Sequence, residues 1–334
     1  MDDLSLEFSP PAWLASRHLQ SILPSLPIRR RAVEKRAAAV IAASRPLVLD
    51  CGDGVRLMGR HADPPAANAD ADAGAARLAV LLHGWEGSSE SLYMLSVAEL
   101  LHQRGFAVTR LNLRDHGGTH ALNRELFHSC RLPEVVGSIA RLQALHPDHR
   151  LALAGFSLGG NFCLRVGARA REAGIRISRI VAVCPVLDPA TTLDALERGP
   201  AIYSQYFMYK WRRSLRLKQV AWPGAYDFGE LIRDPSLTGM TERMVLEYTD
   251  FPGLAAYLRG YAITGDVLES LDAPSHIITS SDDPMILTRD LGRIARPASL
   301  ELTVTPHGGH CGFMDALRGP SWIDRRIVAE LERD

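Results

Sequence analysis

An alternation of buried strands and helices constrains the fold of this 334-residue chain more than any other sequence feature. Short continuous apolar runs are typical of strands that are buried on both faces of a parallel sheet. These runs lie at residues 78–82, 106–113, 151–155, 177–183, 276–280 and 300–305. Helical patterns lie between or after them, at residues 91–104, 133–145, 158–173, 289–294 and 322–332. The alternation predicts an α/β fold built on one mostly parallel, doubly wound sheet.

The stretches around this alternation carry different signals. Residues 46–51 and 55–61 form two strand patterns around a Gly-Asp-Gly turn, which predicts a leading antiparallel hairpin. Four prolines interrupt residues 1–45, which we interpret as an N-terminal arm. The Ala/Asp-rich stretch 63–77 has no periodicity and predicts a mobile surface loop.

Residues 188–262 do not continue the alternation. They are helical in pattern and rich in aromatic side chains, and an insertion of this length between two strands is typical of a cap or lid. We therefore divide the chain into the arm 1–45, a core of residues 46–187 and 263–334, and the helical cap. Two interpretations stay open for the aromatic segment 203–211: packing within the cap, or an acyl-chain pocket or lipid-facing surface.

Composition and charge disfavour several classes of protein. The 38 Lys and Arg residues balance the 38 Asp and Glu residues, whereas a dedicated nucleic-acid binder usually carries a basic surplus. The acidic start of the sequence does not resemble a signal peptide, and no apolar run reaches the ~18 residues of a membrane span. The five cysteines include no CxxC pair, which favours reduced thiols over a zinc ribbon. We expect a cytoplasmic protein with no transmembrane segment and no nucleic-acid partner.

The sequence GFSLGG carries the strongest chemical signal. It follows an apolar run and begins a helical pattern, which is the context of a nucleophile elbow. Gly155 and Gly159 are neighbours without side chains, so a sharp turn can raise the Ser157 hydroxyl above the sheet. The same turn places the N–H of Leu158 at a helix N-terminus, where it can face a developing oxyanion. We therefore predict Ser157 as the nucleophile and Leu158 as one oxyanion donor.

A serine nucleophile needs a base, and the base needs an acid that holds it in one tautomer. The sequence SSDDP, which contains Asp282 and Asp283, follows one predicted strand, and HGGH, which contains His307 and His310, follows the last. Asp283 precedes a proline, which favours an extended conformation at the strand exit, so we prefer it to Asp282. Spacing alone leaves both histidines open and favours His310 slightly, because it lies past the Gly-Gly turn.

Two further histidine-containing loops follow predicted strands. In HGWEG, the N–H of Trp85 is the expected second oxyanion donor, and we interpret His83 as a structural hydrogen-bonding residue. In DHGGTH, His116 and His120 are four residues apart, which permits a metal hypothesis. The two intervening glycines argue against a helix, and no HExxH pattern is present, so we prefer a structured loop beside the site.

Six short sequences together resemble a known family. They are HLQ at 18–20, HGWEGSS at 83–89, NLR at 112–114, GFSLGGN at 155–161, SDDP at 281–284 and HGGHCGF at 307–313. The chain resembles the α/β-hydrolases over most of its length, and more narrowly their YheT-like branch. That branch is related to plant embryogenesis-associated proteins and animal α/β-hydrolase-domain lipases. The resemblance implies that Asp283 and His310 complete the triad. Trp85 stands where the branch usually has leucine, so the substrate range does not carry over.

The resulting hypothesis is a serine hydrolase that cleaves short- or medium-chain carboxylic esters or monoacylglycerols. In it, Ser157 attacks the carbonyl, His310 moves the proton and Asp283 orients His310. We expect no metal and no organic cofactor. The expected partner is a small-molecule ester or lipid; peripheral contact with lipid and the oligomeric state stay open. The alternatives are an acyltransferase or thioesterase that uses the same triad, and a non-catalytic binding protein that keeps the fold.

Overall fold

The computed structural model describes residues 8–65 and 76–333. The first seven residues of the predicted arm and most of the predicted loop at 63–77 therefore lie outside the described residues. The strands of the described chain are β1 (Arg45–Asp50), β2 (Arg56–Ala62), β3 (Arg77–Leu82), β4 (Ala107–Asn112), β5 (Arg150–Phe156), β6 (Ile177–Val183), β7 (Ser275–Ser280) and β8 (Leu300–Thr305).

These strands form one sheet in the order β1-β2-β4-β3-β5-β6-β7-β8. β1 and β2 pair antiparallel across the predicted Gly-Asp-Gly turn, and β2 also runs antiparallel to β4. The other neighbouring strands pair in parallel. The prediction of a mostly parallel α/β sheet with a leading hairpin is confirmed.

Helices precede the sheet, connect its strands and follow it. They are α1 (Arg17–Ile22), α2 (Pro27–Arg36), α3 (Ala38–Ala43), α4 (Leu92–Gln103), α5 (Leu132–Leu145), α6 (Leu158–Arg169), α7 (Pro189–Arg198), α8 (Ala201–Ala221), α9 (Gly229–Arg233), α10 (Leu237–Tyr248), α11 (Leu254–Arg259) and α12 (Trp322–Leu331). The predicted helix at 289–294 is instead a 3₁₀ helix, Thr288–Arg293. Its hydrogen bond from Asp290 N–H to Leu287 O closes over three residues, a tighter pitch that is common in short connecting segments.

The central strands are apolar throughout because helices cover both faces of the sheet. Along β3, Leu78, Val80 and Leu82 belong to the apolar cluster that contains side chains of α5 and α6. The alternate residues Ala79 and Leu81 belong to the cluster formed with α4 and α12. Successive side chains of a strand point to opposite faces, so a strand covered on both sides needs an unbroken apolar run.

The five helices α7–α11 lie between β6 and β7 and share an apolar cluster of their own. The aromatic side chains of α8 lie on two faces of the helix, one buried and one exposed. Tyr203 and Trp211 are buried in this cluster, whereas Tyr206 and Tyr209 are exposed. One face of the segment therefore packs within the cap, as the first interpretation expected, whereas a lipid-facing role for the exposed face stays a prediction. The division of the chain into arm, core and cap stays a prediction.

The N-terminal arm is attached to the C-terminal part of the chain by a buried glutamine. The Gln20 side chain is fully buried. Its amide donates to the carbonyl oxygens of Leu14 and Met314, both at 2.9 Å, and its Oε1 accepts the N–H of Met314 at 2.7 Å. Two of these hydrogen bonds fix the arm against the loop that follows β8, and the third holds Gln20 to Leu14 within the arm. Across residues 8–65 and 76–333, no helix is long and apolar enough to cross a bilayer.

We predict that Gly159→Ala strongly destabilises the fold. A Cβ at Gly159 would lie 2.3 Å from the carbonyl oxygen of Leu82, so α6 or β3 must shift, at a cost of about 3 kcal/mol of unfolding free energy. Gly292→Ala is the control, because a Cβ there meets nothing within 4 Å. Urea unfolding of the three proteins measures both effects. Equal midpoints for Gly159→Ala and Gly292→Ala would contradict the prediction.

Candidate active site

Ser157 occupies a sharp turn between β5 and α6. Its backbone has φ 53° and ψ −118°, a conformation that side-chain-bearing residues rarely adopt. Hydrogen bonds hold the turn on both sides: Ser157 N–H donates to Val183 O at 2.8 Å, and Asn161 N–H donates to Ser157 O at 3.0 Å. A Cβ at Gly155 would lie 2.4 Å from the backbone of Gly159. Gly155 must therefore lack a side chain, as predicted. The surrounding backbone hydrogen bonds hold Ser157 in its strained conformation.

Asp283 and His310 form a buried pair. Asp283 Oδ2 lies 2.8 Å from His310 Nδ1, and Asp283 Oδ1 accepts the N–H groups of Met285 at 2.8 Å and Ile286 at 3.0 Å. Only 4% of Asp283 is exposed. Burial alone would lower the pKa of His310, but the Asp283 carboxylate raises it well above its ordinary value.

The two residues left open by the sequence form a separate pair. His307 Nδ1 lies 3.6 Å from Asp282 Oδ2, and the His307 side chain is 45% exposed. Asp282 Oδ1 also accepts the N–H of Gly309 at 2.9 Å. The chain thus contains two Asp–His pairs in one region: an outer pair that holds the HGGH turn, and an inner pair formed by Asp283 and His310.

Ser157 and His310 line the same cavity, which has a volume of about 100 Å³. Trp85 and Leu158 line it as well, so four of the five predicted site residues surround one space, and the fifth, Asp283, contacts His310. The remaining wall is mostly apolar and comes largely from α7, α8, α10 and α11. Its members include Leu196, Phe207, Trp211, Leu237, Met244, Tyr257, Leu258 and Met285.

The backbone around Trp85 is organised by neighbouring side chains. Gly84 N–H donates to the Tyr93 hydroxyl at 3.1 Å, and Glu86 N–H donates to His116 Nε2 at 3.2 Å. Gly87 N–H donates to Gly84 O. Among the described residues, no acceptor is found for the N–H of Trp85, which lies between these engaged donors.

Two buried histidines, His83 and His116, form hydrogen bonds with the backbone of the same loop. His83 Nδ1 lies 2.7 Å from Gly84 O, and His83 Nε2 accepts the N–H of Leu113 at 3.1 Å. Burial lowers the pKa of His83 to about 4 and that of His116 well below its ordinary value, so both rings are neutral. This geometry agrees with a structural role for His83.

The metal hypothesis for DHGGTH finds no support in the geometry. His116 Nδ1 lies 2.6 Å from Arg114 O, so both of its ring nitrogens already have protein partners. His120 Nε2 is 2.9 Å from Ser214 Oγ. Asp115, which precedes His116 in the sequence, pairs with Lys218 at 2.8 Å. The loop is a buried polar network beside the cavity, as the preferred interpretation expected.

Sequence reasoning missed the contacts that hold the His310 loop. Ser21 Oγ in the arm accepts the N–H of His310 at 2.8 Å. On the other side, Cys311 N–H donates to Cys184 Sγ at 3.3 Å. Burial would raise the pKa of the Cys311 thiol, but Cys184 and His310 lower it to about 6. Only the position of HLQ in the resemblance pointed towards the arm; nothing in the spacing of the two cysteines pointed to their meeting.

Comparisons of the sequence show which known proteins this chain is similar to. The profile of the alpha/beta hydrolase fold matches residues 79–221. The chain is similar to the protein named "Putative esterase YheT" from Escherichia coli (strain K12), with 26% identity over 97% of this chain and 92% of that protein.

Solved structures share the fold at lower identity. The esterase Pf2001 of Pyrococcus furiosus superposes with a TM-score of 0.58 and 16% identity, covering 89% of this chain and 92% of that chain. Est1E of Butyrivibrio proteoclasticus, solved with bound ferulic acid, superposes with a TM-score of 0.52 and 18% identity, covering 86% and 96%. These likenesses extend the match in fold to most of the chain.

We predict that Asp283→Asn lowers the pKa of His310, because it removes the carboxylate that raises this pKa most. Asp282→Asn should change the pKa of His310 much less, since Asp282 faces His307. Imidazole titration by NMR measures both variants against the unmodified protein. A His310 pKa that responds to Asp282→Asn and not to Asp283→Asn would reverse the assignment of the two pairs.

Proposed function

This chain belongs to the α/β-hydrolase family, in its YheT-like branch, and is esterase-like; on that premise we propose that it is a serine hydrolase of carboxylic esters. The observation that carries the proposal is the His310–Asp283 contact of 2.8 Å on the wall of a cavity that Ser157 also lines. A hydroxyl on a strained elbow, a histidine and a buried carboxylate are the parts that nucleophilic acyl transfer requires.

Proton transfer follows from how His310 is held. In the neutral imidazole, Nδ1–H donates to Asp283, and the lone pair on Nε2 is then available for the proton of Ser157. The serine oxygen then attacks the ester carbonyl, and the imidazolium returns the proton to the departing alcohol. Water repeats the sequence on the acyl-enzyme and releases the acid. The carboxylate stabilises the imidazolium in both halves, consistent with the raised pKa of His310.

The tetrahedral oxyanion has two candidate donors. The N–H of Leu158 lies at the first position of α6, where a helix leaves its amides without intrahelical acceptors. The N–H of Trp85 belongs to the loop whose other donors are engaged. Two backbone amides that point at developing charge stabilise the transition state without reorganisation, a contribution of about 3 kcal/mol for each donor.

The cavity supports a substrate with a short- or medium-length apolar acyl group. Beyond Ser157 its wall is mostly apolar, and the indole of Trp85 stacks on Phe207 with ring centroids 5.2 Å apart. The wall extends as far as Ser129. The carbonyl oxygen of Ser129 accepts a hydrogen bond from Arg165, which lies two turns along α6 from Ser157. Monoacylglycerols fit the same description. Residues 188–262 act as the cap over this cavity.

We place the enzyme in the cytoplasm. All five of its cysteines are free, which fits a compartment that keeps thiols reduced. The catalytic proposal assigns no step to a metal or an organic cofactor.

A fluorophosphonate probe tests whether Ser157 is activated. The unmodified protein should gain the mass of one phosphonyl group, and Ser157→Ala should gain none, because only a serine deprotonated by a neighbouring base attacks the probe. Intact-mass spectrometry measures both, and circular dichroism checks that each protein is folded. A folded, unmodified protein that stays unlabelled would contradict the proposal.

The two acidic residues should differ sharply in turnover. Asp283→Asn should lower kcat for a p-nitrophenyl ester by up to about 10⁴-fold, because the imidazole loses its orienting carboxylate. Asp282→Asn should cost less than about tenfold, because it removes one loop hydrogen bond worth about 1 kcal/mol. Each variant replaces one carboxylate oxygen by an amide group, so the two variants serve as each other's control. The opposite ranking would move the catalytic acid to Asp282.

A further inference from the structure

Two thiols lie against the histidine of the candidate triad. Cys184 directly follows β6, and Cys311 directly follows His310. The Cys184 sulfur, the Cys311 sulfur and one ring nitrogen of His310 all lie within 4.8 Å of one another. The catalytic proposal uses neither thiol.

This spacing is close to that of a metal-bound set. Zinc binds thiolate sulfur at about 2.3 Å and imidazole nitrogen at about 2.0 Å, so its tetrahedral ligands stand about 3.5 to 3.8 Å apart. Because the three donors lie within 4.8 Å of one another, they need to approach by at most about an ångström to reach those separations. Two sulfurs and one nitrogen are the donor set that zinc prefers over magnesium or calcium.

The groups behind these donors are also those of a metal site. A metal-bound histidine usually donates its other N–H to a carboxylate, and His310 already pairs with Asp283 at 2.8 Å. A bound thiolate is stabilised by backbone N–H groups, and Cys311 N–H already donates to Cys184 Sγ at 3.3 Å. Each thiol at present donates its proton to a backbone carbonyl, Cys184 to Gly309 and Cys311 to Val183.

We propose that Cys184, Cys311 and His310 form an inhibitory zinc site. Zn²⁺ forms two Zn–S bonds and one Zn–N bond, and every proton that the two sulfurs and the ligating His310 nitrogen still carry passes to the solvent; no electron is transferred. The metal takes the imidazole lone pair that ester cleavage needs, so the zinc-loaded enzyme does not turn over. This consequence rests on the proposed function, whereas the binding itself does not.

Cadmium titration tests the binding without any substrate. Cd²⁺ has the same preference for thiolates and gives an ultraviolet thiolate-to-metal absorption that zinc lacks. The chelator-treated protein and Ser157→Ala should each bind about one equivalent with this absorption. Cys184→Ser and Cys311→Ser should lose the absorption and bind at least tenfold more weakly. Cys51→Ser, a half-buried cysteine on the opposite part of the sheet, is the matched control and should titrate like the unmodified protein.

A second measurement needs no variant. Zn²⁺ should protect Cys311 of the unmodified protein from iodoacetamide, as read by peptide mass spectrometry, while Cys130, also half-buried, should react equally with and without the metal. Absence of the cadmium absorption from the folded protein, or equal labelling of Cys311 with and without zinc, overturns the proposal.

Activity then separates this inference from the catalytic one. Where ester is cleaved, Zn²⁺ should inhibit the unmodified enzyme and Cys51→Ser, and EDTA should restore both. Cys184→Ser, compared with its own metal-free rate, should resist the metal. Cadmium binding without ester cleavage would overturn the hydrolase and leave the metal site; ester cleavage unaffected by zinc would overturn the inhibitory site and leave the hydrolase.

Discussion

The contact between α6 and the carboxyl-terminal end of β3 is the constraint on which the site depends. Gly159 lies so close to the end of β3 that a Cβ would reach 2.3 Å from Leu82 O. That approach brings the first turn of α6 over the strand ends and forces Ser157 into its positive φ. The serine and the amide of Leu158 therefore owe their positions to packing between backbones, whose hydrogen bonds and neighbours outweigh the local strain. A side chain at either flanking glycine would release both groups together.

Parallel strands supply the remaining parts at the same edge. β7 ends before Asp283 and β8 before His310, and the two strands pair in register from Ser275 with Leu300 to Ser280 with Thr305. Side chains that follow neighbouring parallel strands meet at their carboxyl ends. A carboxylate and an imidazole that are 27 residues apart in sequence are thereby brought to 2.8 Å.

The sequence predicted the features that depend on local pattern. Strand–helix alternation and the Gly-flanked serine depend on steric rules that act over a few residues, so the sheet and the elbow could be placed. Apart from the family resemblance, Asp283 and Asp282 could be ranked only through the proline that follows, because neighbouring residues at a strand exit differ in direction and not in chemistry. The meeting of Cys184 with Cys311 and that of Ser21 with His310 depend on how distant loops dock. No periodicity records such contacts, since each residue contributes a single polar atom to a pair formed by the whole fold.

The hydrogen bond from His310 N–H to Ser21 joins residues that are 289 positions apart in the chain. Synthesis proceeds from the N-terminus, so the arm emerges from the ribosome long before the loop that it will hold. Contacts of such long sequence separation are also costly to form early in folding, because the closure entropy precedes the gain. The histidine loop thus reaches its final position only after both distant parts of the polypeptide have docked. Ser157 would then become reactive only when folding is complete, and partly synthesised or truncated chains would have no reactive serine.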